Sequence, residues 1–99
     1  MKPIDLSAYA NRTVDFLIKG ELVKLPELSY RDMKKVAEYE ANEDTTQQDE
    51  LKMVLWLLNK NTGGKQFTEK DVYDLPAGAI SRIYRECVLL PRKQLNDPN

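Results

Sequence analysis

Few side chains in this chain can do chemistry, and their spacing narrows the options further. There is no histidine among its 99 residues, so neither a serine–histidine nor a cysteine–histidine couple can form within it. Cys87 is the one thiol, and it falls among Ile80, Ile83, Tyr84 and Leu90 at helical spacing. A thiol on such an apolar stripe is expected to be a buried structural group rather than a nucleophile. Carboxylates gather in EYEANED (Glu38, Glu40, Glu43, Asp44) and in DVYD (Asp71, Asp74). Paired carboxylates can bind a divalent ion or share acid–base work. Neither cluster has the ligand spacing or the turn glycine of a calcium loop, so solvated charge at helix ends is expected. Gly63-Gly64-Lys65 falls short of a phosphate loop, which needs a preceding strand, an upstream glycine and a Ser or Thr where Gln66 stands. The expectation is a protein that is not an enzyme and uses neither cofactor nor metal.

Length and composition bound the rest. Ninety-nine residues make one domain, near the size below which a lone core struggles to stabilise a fold. Apolar residues at 41% place the chain close to the globular range. The balance of 15 basic against 16 acidic residues argues against binding nucleic acid mainly by phosphate neutralisation. A single cysteine excludes an internal disulfide and fits a reducing compartment. No N-terminal segment reads as a secretory signal. The run Met53 to Leu58 is far shorter than the roughly 20 residues that span a bilayer. A soluble cytoplasmic protein without a membrane partner is expected.

Local patterns then supply elements to position the side chains. Residues 1–12 read as an N-terminal arm with room for one short strand. TVDFLI and ELVKLP flank Lys19-Gly20 at hairpin spacing, pairing Val14 with Leu25 and Phe16 with Val23 on one face and Asp15 with Lys24 on the other. Lysine is a poor first residue for a type I′ turn, so a tight turn and a longer bulged loop are both compatible. Ser29 opens a first helix through SYRD, with Tyr30, Met33, Val36, Ala37 and Tyr39 as its apolar positions. Thr45 or Thr46 caps a second helix over about 47–60. Its core stripe is Leu51, Val54, Leu55 and Leu58, widened by Met53 and Leu57. The glycines of NTGGK are expected to end that helix in the left-handed conformation. Thr68 caps a short helix over 69–74, Pro76 starts a last one, and Pro91 stops it. The fold class is α+β and mostly helical: a small N-terminal β-hairpin packed on a three- to four-helix bundle. Residues 13–90 form the single domain and residues 91–99 a flexible tail.

The apolar helices exceed what a small core needs, which points to binding other polypeptides. Trp56 falls between Lys52 and Lys60, outside the core stripe. It reads either as a core aromatic or as an interface anchor, a role in which tryptophan dominates binding energetics. Met53, Tyr73 and Tyr84 extend the same surface. A helix-in-groove interface of Met53, Trp56, Leu57 and Tyr84 would receive a client's side chains.

An alternative is a small helix–turn–helix nucleic-acid-binding regulator built on 71–86, with Lys34, Lys35, Arg82, Arg85, Arg92 and Lys93 as its basic residues. Against it, the reading helix would open Pro-Ala-Gly-Ala, without the Arg, Lys, Asn or Gln that read base edges.

The order of motifs resembles that of the tail assembly chaperones of long-tailed bacteriophages. Leu28 to Arg31 stand where that family has an L-S/T-x-R-like helix start. Leu55 to Asn59 match an L-W-x-x-N-like helix end, and Pro76 to Ser81 a P-x-x-A-I-S-like segment. The similarity covers about residues 25–90. It implies a non-catalytic protein of the host cytoplasm that coats the helical tape-measure protein before tail-tube subunits polymerise around it. It further implies self-association and, in many members, a longer frameshifted form whose extension recruits tube subunits.

Overall fold

A computed structural model describes residues 2–89. Leu90 and the tail expected over 91–99 lie outside the described residues. The element order is α1 (Ser7–Ala10), β1 (Thr13–Ile18), β2 (Glu21–Pro26), α2 (Tyr30–Ala41), α3 (Gln47–Leu58), α4 (Glu69–Tyr73) and α5 (Ala77–Tyr84). A π-helical turn, Arg85–Leu89, continues α5. The architecture is the α+β hairpin-on-helices arrangement expected from the sequence. One difference lies in the N-terminal arm, which holds a single helical turn, α1, instead of a strand.

The hairpin forms in the expected register, with Val14 opposite Leu25, Asp15 opposite Lys24 and Phe16 opposite Val23. Lys19 at φ 52° and Gly20 at φ 81° make the two-residue connection, so the tight turn forms and the bulged loop does not. Two positive φ angles give the turn the twist that the strands demand, and lysine takes a left-handed conformation to satisfy it. One sheet face supplies Val23 and Leu25 to the core, each 3% exposed.

Three helices start the same way. Ser29, Thr46 and Thr68 each accept from the backbone N–H three residues on, and Asp32, Asp49 and Asp71 each accept in return from the capping residue's N–H. Such a reciprocal cap satisfies two otherwise orphaned donors and is worth about 1 kcal/mol. α5 has no side-chain cap and begins instead behind Pro76.

α3 is the central element. Val54, Leu57 and Leu58 are fully buried, against Val36 of α2, Val72 of α4, and Ile83, Cys87 and Val88 of the last helix. In the π turn both Cys87 and Val88 are buried. Regular α spacing from Ile83 selects Cys87, whereas the wider i→i+5 turn brings Val88 beneath the same face.

The end of α3 departs from expectation. Its C-cap, Asn59, has φ −75°, and the left-handed glycine, Gly64 at φ 73°, sits further along the loop. Side-chain amides do the terminating. Asn61 Nδ2 donates to the Leu58 carbonyl at 2.8 Å and to the Lys65 carbonyl at 2.8 Å. Its Oδ1 accepts from the N–H groups of Gly63 and Lys65. The loop is tied back to the hairpin by the Thr62 N–H, which donates to the Lys24 carbonyl at 3.0 Å, and by a Lys65–Glu21 ion pair.

Candidate protein-binding surface

The residues singled out as a docking surface are engaged within the protomer. Met53 and Leu57 are 5% and 1% exposed. Leu57 belongs to the core, where α3 meets α4, α5 and β2; Met53 lies outside that cluster, beside Lys35, Glu38 and Tyr39 of α2. Leu57 offers no surface to a client on this protomer, and Met53 shows only a small part of itself, at a pocket of about 310 Å³ against α2. Trp56 is half-buried against the core. The ammonium groups of Lys35 and Lys60 each stand over its ring, 4.7 Å from the centroid. Lys60 also pairs with Asp32 at 2.9 Å. The chain's own cations thus occupy the ring through cation–π contact, and the indole stitches α3 to α2.

Tyr84 is likewise half-buried. Its hydroxyl donates to Glu40 Oε2 at 2.8 Å, and its ring lies 6.0 Å from that of Tyr39 at a 55° tilt. Burial, with Glu50, Asp49 and Glu40 nearby, raises the Tyr39 phenol pKa. These contacts join α5 to α2.

The apolar surface that remains lies elsewhere. The N-terminal half of α3, α4 and the start of α5 enclose an open groove of about 790 Å³. Its floor is Leu51, Val72, Leu75, Ala77 and Ile80, with Gln47, Gln48 and Glu50 along one rim and Tyr73 and Ser81 on the other side. Val72 is buried, Leu51, Leu75 and Ile80 are half-buried, and the Tyr73 ring is 78% exposed. Pro76 shapes this site: it cannot continue α4, which ends at Tyr73, and it stands at the start of α5. The sequence singled out Tyr73 but gave Leu51 and Ile80 only as members of apolar helical stripes. The available signal was DVYDLP, a helix of one turn with two large apolar residues and room to bury only one.

A second exposed feature is the outer face of the hairpin. Leu17 and Leu22 are cross-strand partners and are 75% and 58% exposed. Ile4, Leu6 and Tyr30 are also exposed.

The chemistry of the remaining groups is sparse. Among the described residues no group of three or more His, Cys, Asp or Glu side chains could hold a metal ion. Burial and then the neighbouring Glu86 push the Cys87 thiol up to about 12, so it stays protonated. Of the basic residues weighed for nucleic-acid contact, Lys35 lies over Trp56 and Arg82 pairs with Glu86 at 2.6 Å. Arg92 and Lys93 lie outside the described residues. No described helix is long and apolar enough to cross a membrane. No family model matches the chain, and no match is found among curated proteins or solved structures.

Proposed function

We propose that this chain is a phage tail assembly chaperone, a non-catalytic protein that binds and solubilises the helical tape-measure protein while the tail tube forms. The reading rests on the order of short motifs from Leu28 to Ser81, together with a groove suited to a helix. The observation that carries it is the trough between α3, α4 and α5, where Leu51, Leu75 and Ile80 are only half covered by their own chain. An amphipathic helix lays its apolar stripe into such a trough, burying side chains spaced three and four residues apart. Gln47, Gln48 and Glu50 on the rim would meet its polar flank. The chain's small size and sparse chemistry suit a holdase, whose work is coverage.

Two exposed positions test the reading without touching the core. Ser81→Arg puts a long side chain into the trough, and Tyr73→Asp charges its edge. Isothermal titration of a helical tape-measure segment should show affinity falling about tenfold or more in each, the scale of losing one interface anchor. Absence of binding to any such segment by the unsubstituted protein, in the host cytoplasm or in vitro, would remove the proposal. Light scattering on the same samples reports self-association, and tail-tube subunits added to the complex test the further partnership.

A further inference from the structure

The sheet has two strands, so each has an outer edge, and the two edges differ. The β2 edge is in use: the Lys24 carbonyl, turned away from β1, accepts the Thr62 N–H. That bond also fixes the phase of the ladder. Residues opposite one another in an antiparallel pair alternate between bonding each other and turning their backbone groups outward. Since Lys24 faces outward, its partner Asp15 does too, and with it Leu17 and Thr13. Among the described residues no strand or loop pairs with these groups. Beside this open edge lies a groove of about 340 Å³, walled by Phe16, Leu17 and Ile18 on one side and by Pro76, Ala79 and Ile83 on the other, with the charged side chains of Lys19, Asp74 and Arg82 also lining it. A strand edge alongside a largely apolar trough walled by a helix is the arrangement that accepts an extended peptide by strand addition.

We propose that β1 takes, as a third strand antiparallel to it, an extended segment of a different polypeptide that carries two adjacent apolar residues followed by a basic one. The side chains dictate that pattern. The residue opposite Asp15 lies on the outer face, where Asp15 stands between it and Lys24. A cation there completes a row of alternating charge, which cross-strand pairing favours. The residue two positions away extends the exposed Leu17–Leu22 row. The one between them points to the other face, toward the groove beside Phe16. A second copy of this chain fits poorly: β1 has no basic residue within the strand, and Lys19, which follows it, is held in the left-handed turn, so pairing β1 with itself inside the strand places Asp15 against Asp15, Thr13 or Leu17. β2 of a second copy carries the pattern in Leu22-Val23-Lys24, but the residue that would meet Asp15, Lys24, already has its carbonyl bonded to the Thr62 N–H of its own loop. This inference does not rest on the tape-measure reading, which concerns the other flank of α5.

The test uses a short, capped, fluorescein-labelled peptide with Leu-Val-Arg at its centre and threonines on both sides, against the same peptide with Glu for Arg. Fluorescence anisotropy should show the Arg peptide binding about fivefold or more tightly, the scale of a cross-strand charge pair. Amide exchange should slow at Asp15 and Leu17. Asp15→Lys should reverse the preference. Leu17→Pro removes an outward N–H without removing a bond to β2 and should abolish binding of both peptides. If Leu17→Pro fails to fold, the reversal in Asp15→Lys decides alone. Equal affinity for the two peptides, no binding, or protection at other amides overturns the proposal. So does a dimer, by light scattering, that Leu17→Pro dissolves, since the edge would then belong to a second copy.

Discussion

The Asn59 carboxamide meets the backbone of Phe67 at both ends: the Phe67 N–H donates to Oδ1 at 2.7 Å, and Nδ2 donates to the Phe67 carbonyl at 3.1 Å. A side chain thereby acts as a strand would, pairing with an extended residue eight positions on. The bridge fixes where the loop leaves α3. It seats the Phe67 ring, 7% exposed, in the core and presents Thr68 to cap α4. One wall of the apolar trough is positioned by a single amide.

Replacing Asn59 therefore loosens α4 relative to α3. Asn59→Ala strips partners from two backbone groups of Phe67 and should cost about 2 kcal/mol, measurable in urea unfolding. Asn59→Asp keeps an acceptor but sets a carboxylate beside the Phe67 carbonyl, and should cost at least as much at neutral pH. Its penalty should shrink in acid, because the introduced carboxyl group, once protonated, can again donate. Denaturation at neutral pH and near pH 4 distinguishes the two variants.

Lys19 holds the turn in a left-handed conformation at φ 52°, which costs a side-chain-bearing residue about 1 kcal/mol. Lys19→Asn replaces it with a residue that accepts this backbone, creating the Asn-Gly pair favoured in two-residue turns. The melting temperature should rise by about 4–8 °C for a domain of this size. No rise would mean that the cost is already offset by contacts of the lysine itself.

Much of this fold was legible because local chemistry and tertiary packing agree. The alternation of TVDFLI and ELVKLP sets one register, since a slip by one residue would bury Asp15 and Lys24 and expose Val23 and Leu25. The Ser/Thr-x-x-Asp spacings marked the capped helix starts at Ser29 and Thr68 and narrowed the one between them to Thr45 or Thr46, of which Thr46 is the cap. What escaped notice depends on the third dimension. Helical spacing placed Lys60 beside Trp56, but Lys35 reaches the ring from α2, which no local pattern reports. Met53 and Leu57 look surplus along one helix and are buried on different flanks of α3, Leu57 in the core and Met53 beside Lys35, Glu38 and Tyr39 of α2. Asparagines near glycines read as loop formers, so the bridging roles of Asn59 and Asn61 left no distinct trace. The π turn at 85–89 likewise has no signature, and Val88 was missing from the expected stripe.

Asp32 ties the start of α2 to the end of α3: it caps α2 through Ser29 and pairs with Lys60, which stands over Trp56. Partial burial raises its pKa, but hydrogen bonds from the Lys60 ammonium and from Ser29 outweigh that and leave it below its ordinary 3.8. A depressed folded-state pKa means stability present above pH 3.8 and lost as pH falls through the lower folded value. Lys60→Met removes the main partner, so the acid limb of its stability–pH curve should be flatter than that of the unsubstituted protein. The variant should also alter Trp56 fluorescence, since one of two nearby cations is gone. Parallel acid limbs would show that Lys60 does not hold the carboxylate.

Cys87 provides the converse case, a group whose burial raises its pKa. Packed 8% exposed in the core and held up to about 12 by burial and by Glu86, the thiol is both inaccessible and protonated. Thiolate is the reactive form, so a disulfide reagent at pH 8 should label the native protein only as fast as it opens, and label it rapidly in urea. The linkage sign is opposite to that of Asp32. Above its ordinary value of 9.0 the unfolded thiol loses its proton while the folded one keeps it, so stability should decline as pH rises past about 9. Cys87→Ala should remove that decline while costing about 1 kcal/mol for the small cavity left beside Ile83 and Val88. Rapid stoichiometric labelling of the folded protein would place the thiol at the surface and contradict the packing of the last helix.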